Sequence, residues 1–401
     1  MDFNDTSAEA AFRREVHDWL AANAAPFLID RAALSLDELA QRGRRWQKHK
    51  AAGGYGGICL PRALGGIEAT PMQEVIFLQE EARHEVPTGI FTTIGVNLVV
   101  PTLLAHAAPE VQQRFIRTTI EGDLQWCQLF SEPAAGSDLA GIRTRAVRDG
   151  DDWVITGQKV WNSWAQVADW GVLMARTDSG VAKHKGITYF VVDMKSPGVE
   201  VRPIRQISGE SEFNEVFLTE VRIPDSQRIG AVGAGWKVAM TTLMNERATA
   251  VAESSHLPDT RDVIAAAMDH ADAEALTLPI ARLMTLEMGL AAYRNRLLTR
   301  LSRGQMPGPD VAMAKLVYGK LLQDLSAQAL DLLGLAGIYP DAETQRSVDR
   351  LQHGYCWGAA MRIAGGADEI LRNQLAERVL ELPADLRVDK ELAFNQIPTG
   401  R

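Results

Sequence analysis

Cysteine is scarce in this chain. The three residues Cys59, Cys127 and Cys356 lie far apart and fit neither a metal-ligand spacing nor a disulfide framework. That usage suits a reducing compartment, so a cytoplasmic location is expected. The histidines likewise form no cluster, so no metal site is expected. An excess of basic residues is missing too: 42 Lys and Arg stand against 51 Asp and Glu, a net charge of −9. Neutralising a row of phosphates needs a basic face, so this balance argues against nucleic acid as a partner. No uncharged apolar stretch long enough to span a bilayer is read, and residues 1–25 carry acids throughout without an apolar run. No membrane association is therefore expected. What is present is a globular composition, 46% apolar and 23% charged, in 401 residues. That length exceeds one ordinary core, so two or three packed units are expected.

The texture of the chain changes twice. Residues 7–24 carry a helical period, with Ser7 as the candidate N-cap and Phe12, Val16, Trp19 and Leu20 on one face. Residues 35–52 repeat the pattern and end at Gly53-Gly54; residues 71–85 and 109–121 also read as helices. After Glu121-Gly122-Asp123 the signal becomes β. The runs 143–148 and 153–160 are joined at Asp149-Gly150-Asp151, a hairpin signal, and 170–176, 187–194 and 213–223 follow. From Gly235 the helical period returns over 236–254, 259–270, 274–303, 309–334 and 341–380, the last broken near Gly365-Gly366. The expected fold class is α+β multidomain. It has a helical domain (1–122), a middle β domain of two packed sheets or a partial barrel (123–232) and a helical bundle of four-helix type (233–401).

Three constellations could carry chemistry. Residues 126–140, Trp-Cys-Gln-Leu-Phe-Ser-Glu-Pro-Ala-Ala-Gly-Ser-Asp-Leu-Ala, join a hydrophobic run to a turn rich in hydroxyls and glycine. Such a turn exposes N–H groups and hydroxyls at a sheet edge, where a flat polar ring or a phosphate can be held; a strand end with an ordinary capped turn is the plainer alternative. Residues 155–163, Ile-Thr-Gly-Gln-Lys-Val-Trp-Asn-Ser, come next. Five of the nine tryptophans (Trp126, Trp153, Trp161, Trp164 and Trp170) lie in this middle region and could pack a core without any ligand. Third is Asn245-Glu246-Arg247. Helical spacing sets Glu246 beside Ala239, Thr242, Leu243 and Ala250, a small and mostly apolar face. A carboxylate there would have its pKa raised, which suits a general base; a solvated Glu-Arg pair is the alternative. The loop Lys183-His184-Lys185 offers positive charge, read as solvated, with the phosphates of a ligand as the alternative.

Together these segments resemble the acyl-CoA dehydrogenase family, over nearly the whole chain, including Gly235-Trp236 and Ala376-Glu377-Arg378-Val379-Leu380. The resemblance implies an FAD-dependent enzyme that converts an acyl-CoA to the trans-2-enoyl-CoA and passes electrons to an electron-transferring flavoprotein. It implies that Ser131 hydrogen-bonds the flavin, that Gln128 and Phe130 line its ring, that Trp161 stacks beside it and that Ser163 donates to it. Ser137 would lie near the acyl-CoA, and Arg247 would contact the CoA chain. Most members carry the catalytic base just before a Gly-Thr/Ser-x-Glu/Gln run. Here the matching stretch is Ala364-Gly365-Gly366-Ala367-Asp368-Glu369, and Gly365 cannot act. Isovaleryl-type and long-chain-type members carry it on the helix that opens the third domain, where Glu246 matches.

Three departures fall on the part that serves FAD across a subunit interface. The Arg-x-x-Phe-Gly segment is missing, and no phenylalanine occurs between Phe217 and Phe394. Asp331 stands where a glutamine usually touches the neighbouring subunit's FAD, and Ala367 replaces a hydroxyl residue. The expectation is therefore a homo- or hetero-tetramer, with a related chain supplying what this one lacks. The resemblance extends to α2β2 members among actinobacterial enzymes that degrade steroid side chains. Two further readings stay open: a non-catalytic subunit that stabilises FAD held by its partner, and an acyl-CoA oxidase-like flavoenzyme on the same fold.

Overall fold

The computed structural model describes residues 5–30, 34–249, 257–268, 273–303, 305, 308–387 and 389–398; at 246–249, 273–275 and 301–302 it describes only the backbone. By packing, the chain forms two units. One comprises the described residues of Met1–Arg14, Pro71–Arg83 and Ala250–Ala384, the other those of Glu15–Thr70, His84–Thr249 and Asp385–Arg401.

The helices before the sheet are α1 (Ser7–Asn23), α2 (Leu36–Ala52), α3 (Pro71–Glu81), α4 (Gly89–Phe91), α5 (Val100–His106) and α6 (Pro109–Ile120). Thr6, not Ser7, begins α1: its hydroxyl accepts from the Glu9 N–H, and the Glu9 carboxylate accepts from the Thr6 N–H at 2.7 Å. A one-residue shift wins because it completes a reciprocal capping box. Ser35 and Glu38 make the same box at α2.

Between α4 and α5 the chain winds as a π-helix over Thr92–Val99, so Gly89–His106 is one continuous helical run. This run is long and apolar enough to cross a membrane, contrary to the sequence expectation, which overlooked eighteen residues without a charge. Its buried residues Ile94, Leu98, Val99, Val100 and Leu103 pack instead with Phe115 and Ile116 of α6 and Trp126 in one apolar core.

The middle of the chain forms β1 (Trp126–Leu129), β2 (Arg145–Asp149), β3 (Asp152–Lys159), β4 (Trp170–Arg176), β5 (Ile187–Asp193), β6 (Val199–Ile204), β7 (Phe213–Pro224) and β8 (Arg228–Ile229). They make one eight-stranded sheet in the order β6-β7-β3-β2-β4-β5-β8, with β1 also on β4. Gly150, at φ +62°, closes the β2–β3 hairpin in the left-handed conformation that such two-residue turns require. Trp153 on β3 meets Phe190 on β5 at 5.6 Å, although β2 and β4 lie between them in the strand order. The sheet is thus rolled into a partial barrel, not split into two. Leu173, Ala175, Phe190, Val192, Val216 and Leu218 fill its inside. The alternate residues Val172, Met174, Tyr189 and Val191 face the helical core, which is why β4 is buried on both faces.

One topological detail positions the site. β1 pairs in parallel with β4 from Trp126↔Trp170 to Leu129↔Leu173, and β2 joins β4 at Arg145↔Arg176. Both strands therefore use one edge of β4 in succession, and residues 130–144 form a loop that leaves that edge and returns to it.

After the sheet, α7 (Gly235–Thr249) belongs to the same unit and buries Val238, Ala239 and Thr242. The other unit is a bundle of α8 (Thr260–Ala267), α9 (Ala273–Ser302), α10 (Ala312–Leu333), α11 (Gln345–Met361) and α12 (Asp368–Arg378), with α3 beside α9. Leu283, Leu290, Leu321, Leu325 and Leu351 make its core. Gly354 and Gly358 let α11 approach α10: a Cβ on Gly354 would lie 2.6 Å from the Ser326 hydroxyl, and one on Gly358 3.0 Å from the Gln323 Cα. The break expected near Gly365-Gly366 is present, both residues having positive φ.

Candidate active site

The two middle-domain motifs are zipped together. The Gln128 carbonyl accepts from Asn162 Nδ2 at 2.7 Å, the Phe130 carbonyl from Lys159 Nζ at 3.0 Å, and the Ser131 carbonyl from the Val160 N–H at 2.9 Å. Residues 128–131 and 159–162 thus lie side by side where the loop leaves β4. Gly157 makes this approach possible, because a Cβ there would collide with the backbone and side chain of Thr144.

Buried charge holds the junction. Lys159 is fully buried, and its Nζ lies 2.8 Å from Glu132 Oε1. Glu132 also accepts from the N–H groups of Arg143 (2.6 Å) and Thr144 (2.9 Å), so its carboxylate pins the start of the 130–144 loop to its end. Burial pulls the Lys159 ammonium down to about 8, against the attraction of Glu132. Burial also pushes the Glu132 carboxyl up, but Lys159 and the surrounding donors hold it below its ordinary value. The buried Arg176 grips the far end of the loop: its guanidinium donates to the carbonyls of Ala140 (2.6 Å) and Ile142 (2.9 Å). Burial lowers that guanidinium to about 10. Sequence reasoning missed Lys159, Glu132 and Arg176 as organisers, because a single lysine or arginine reads as a surface residue.

Beyond β3 the chain turns through Trp161 (φ +62°) and Trp164 (φ +56°), both left-handed. Such a conformation costs a bulky residue about 1–3 kcal/mol. It is imposed by Asn162, which is buried; its N–H donates to the Asn214 carbonyl, while its own carbonyl accepts from Asn214 Nδ2. The strain turns Trp161 outward. The residue is 59% exposed, and the Phe213 ring stands edge-on to it at 6.0 Å. Gln128, Ser131 and Ser163 are half-buried near this turn, whereas the Phe130 ring is buried, edge-on to Tyr189 at 5.7 Å. An open aromatic face flanked by partly exposed hydroxyls fits a planar, hydrogen-bonding ring such as that of FAD.

Ser137 lies exposed on the turn that follows the Glu132–Ala135 bridge. Glu246 and Arg247 fall within the α7 backbone, but their side chains lie outside the described residues. In the turn before them, Thr242 is buried and Leu243 half-buried, whereas Met244 is 56% exposed. Thr242 Oγ1 lies 2.9 Å from Thr102 Oγ1 on α5 and 3.1 Å from the Tyr189 hydroxyl on β5, and Ala239 is fully buried. Lys183 is not a solvated loop residue. It is buried, and its Nζ is held by Asp138 at 2.9 Å and Asp389 at 2.5 Å. Among the described residues, no group of three or more His, Cys, Asp or Glu side chains could hold a metal.

In the bundle, the Ala364–Glu369 turn is closed on itself. Arg362 Nε lies 2.8 Å from Asp368 Oδ2, and Lys315 Nζ donates to the Gly366 carbonyl at 2.7 Å. The Asp368 carboxylate, buried in the first turn of α12, is thus paired with the Arg362 guanidinium. The segments 128–131 and 159–162 fit a flavin ring, and Asp331 puts an exposed carboxylate at the end of α10.

Three family models cover the chain: the acyl-CoA dehydrogenase N-terminal domain matches residues 6–123, the middle domain 127–221 and the C-terminal domain 233–380. The acyl-CoA dehydrogenase IpdE1 of Mycobacterium tuberculosis is 37% identical over 391 residues, covering 94% of this chain and 98% of that protein. FadE34 of the same organism is 39% identical over 348 residues; the match takes in 84% of this chain but 46% of FadE34, so the chain spans about half of that relative. Among solved structures, the ChsE4-ChsE5 complex from Mycobacterium tuberculosis superposes with a TM-score of 0.81 at 28% identity, over 96% of this chain and 100% of the matched one. The Tcur3481-Tcur3483 steroid ACAD gives a TM-score of 0.80 at 26% identity, with the same coverage. By three contiguous domain matches in order and by full-length relatives, this chain belongs to the acyl-CoA dehydrogenase family.

Proposed function

We propose that this chain is the FAD-dependent, base-carrying subunit of an enzyme that desaturates an acyl-CoA thioester to the trans-2-enoyl-CoA. The observation that carries this reading is the zipped pair of segments 128–131 and 159–162, which turns Trp161 outward beside Ser163 in a chain of this family. FAD would supply the hydride-accepting chemistry for the β-hydrogen. Trp161 would give its ring an aromatic wall, and Ser131 and Ser163 would offer it hydroxyl hydrogen bonds, with Gln128 and Phe130 completing that side. Glu246 would remove the α-proton. It follows the buried Thr242 by one helical turn, and a carboxylate on the small, mostly apolar face expected from the sequence would have its pKa raised, which suits a general base. Arg247 and Ser137 would contact the acyl-CoA.

The substrate class that fits is a bulky acyl-CoA, because small residues line this side of α7 and a steroid ACAD is among the similar structures. Gly365, Ala367, Asp331 and the missing Arg-x-x-Phe-Gly segment leave the far half of the FAD site to a related partner chain, as in a heterotetramer. An electron-transferring flavoprotein would take the electrons. A panel of acyl-CoAs added anaerobically to the flavin-loaded complex of this chain with its related partner tests this: bleaching of the flavin by at least one supports dehydrogenation, and bleaching by none removes it. The same departures favour a second reading, a non-catalytic subunit stabilising FAD on its partner. Oxygen uptake during turnover would point instead to an oxidase.

A further inference from the structure

The C-terminal tail returns to the sheet, beyond residue 380 where the family match ends. Phe394 and Asn395 donate their N–H groups to the carbonyls of Val181 (2.8 Å) and Ser179 (3.0 Å), and Ala393 bridges Ala182 in antiparallel pairing. The Phe394 ring lies under the Arg176 guanidinium, 3.5 Å from its carbon to the ring centroid. Asp389 reaches Lys183 Nζ at 2.5 Å, and the same ammonium holds both carboxylate oxygens of Asp138, at 2.9 and 3.0 Å.

These contacts converge on one loop. Arg176 also donates to the Lys183 carbonyl at 3.1 Å, besides the carbonyls of Ala140 and Ile142. The tail therefore grips the 130–144 loop twice. Phe394 acts through Arg176 on residues 140–142, and Asp389 acts through Lys183 on Asp138, the neighbour of the exposed Ser137. Arg176 is 4% exposed and already uses its N–H groups on carbonyls, so an aromatic face is the remaining partner that suits its plane. Lys183 lies between two carboxylates, and removing either leaves a buried ammonium with half of its compensation.

We propose that Phe394 and Asp389 are positioning residues that fix the Ser137–Ile142 turn for binding the CoA part of the substrate. The proposal rests on the reading of this chain as an acyl-CoA enzyme only for what the turn binds. The mechanical coupling of tail to turn stands apart from it.

The test uses the full-length, flavin-loaded protein and three variants, Phe394→Ala, Asp389→Asn and Phe394→Trp. Two readouts are taken: amide hydrogen exchange over residues 134–142, and the dissociation constant for free coenzyme A. Losing a desolvated cation–π or ion-pair contact predicts amide exchange faster by about tenfold in F394A and D389N, and coenzyme A binding weaker by about five- to tenfold. F394W, which keeps an aromatic face under Arg176, should restore both. Exchange that stays unchanged over 134–142, while the amides of Phe394 and Asn395 become unprotected, overturns the coupling. Faster exchange with unaltered coenzyme A affinity overturns the positioning role. Failure of the unaltered protein to bind coenzyme A at all contradicts the acyl-CoA reading, and the exchange arm then decides the coupling alone.

Discussion

Lys159 Nζ lies 2.8 Å from Glu132 Oε1, and the two side chains are 0% and 7% exposed. An ion pair this deep is expensive to break on one side, because the remaining charge stays buried without its partner. Lys159→Met or Glu132→Gln should each cost about 3–5 kcal/mol, whereas the double change to apolar residues of similar volume should recover most of that. Urea unfolding of the three variants checks this. The single variants should also lose flavin, because Lys159 Nζ holds the Phe130 carbonyl beside Ser131.

Trp161 combines strain with exposure. Replacing it by glycine removes the left-handed penalty of about 1–3 kcal/mol and little buried surface. Trp161→Gly should therefore melt at the same temperature as the parent or higher, while its FAD dissociation constant rises. A variant that loses both stability and flavin would show that the ring serves the fold.

Two histidines make stability fall as pH drops below neutrality. Burial lowers the pKa of His106, which lies 2.7 Å from Thr241 Oγ1, and the nearby Lys237 lowers it further. Burial lowers His184, with Lys183 adding to the effect. For each, the folded value lies below the unfolded value of 6.5, so the unfolded chain takes up protons first as pH falls. Their stabilisation is complete above about pH 6.5 and is lost as pH drops through the lowered folded values. Thermal melts from pH 7.5 to 5.5 should show a falling midpoint, and His106→Gln should flatten part of the slope.

The fold was largely legible because periodicity reports burial. β4 matches its predicted span residue for residue, and the Ser35–Glu38 box marks the start of α2. Gly89–His106 was not read because its apolar residues follow a π-helical winding, which matches neither the 3.6 nor the 2.0 repeat. β1 was read only as a possible strand end, since four residues without alternation carry little signal. At the site, the motifs named Gln128, Phe130, Ser131 and Trp161, which lie on the two segments that the structure brings together, and Ser163, which directly follows the second. The groups that join those segments were invisible: a buried lysine looks like a surface lysine until its partner is known, and the Phe394–Arg176 contact spans more than two hundred residues.

The departures at Asp331, Gly365 and Ala367, with Asp368 already neutralised by Arg362, predict that this chain alone holds FAD poorly. Size-exclusion chromatography monitored for flavin absorbance should show substoichiometric FAD for the isolated chain and full occupancy only with a related partner. A homo-oligomer saturated with FAD and fully active would refute the heteromer.

The central claim is that Glu246 on α7 is the base that starts acyl-CoA desaturation, and Glu246→Gln tests it most directly. The variant should retain its FAD spectrum and melting temperature, yet show no flavin bleaching with an acyl-CoA that bleaches the parent. Normal bleaching by Glu246→Gln would contradict the account.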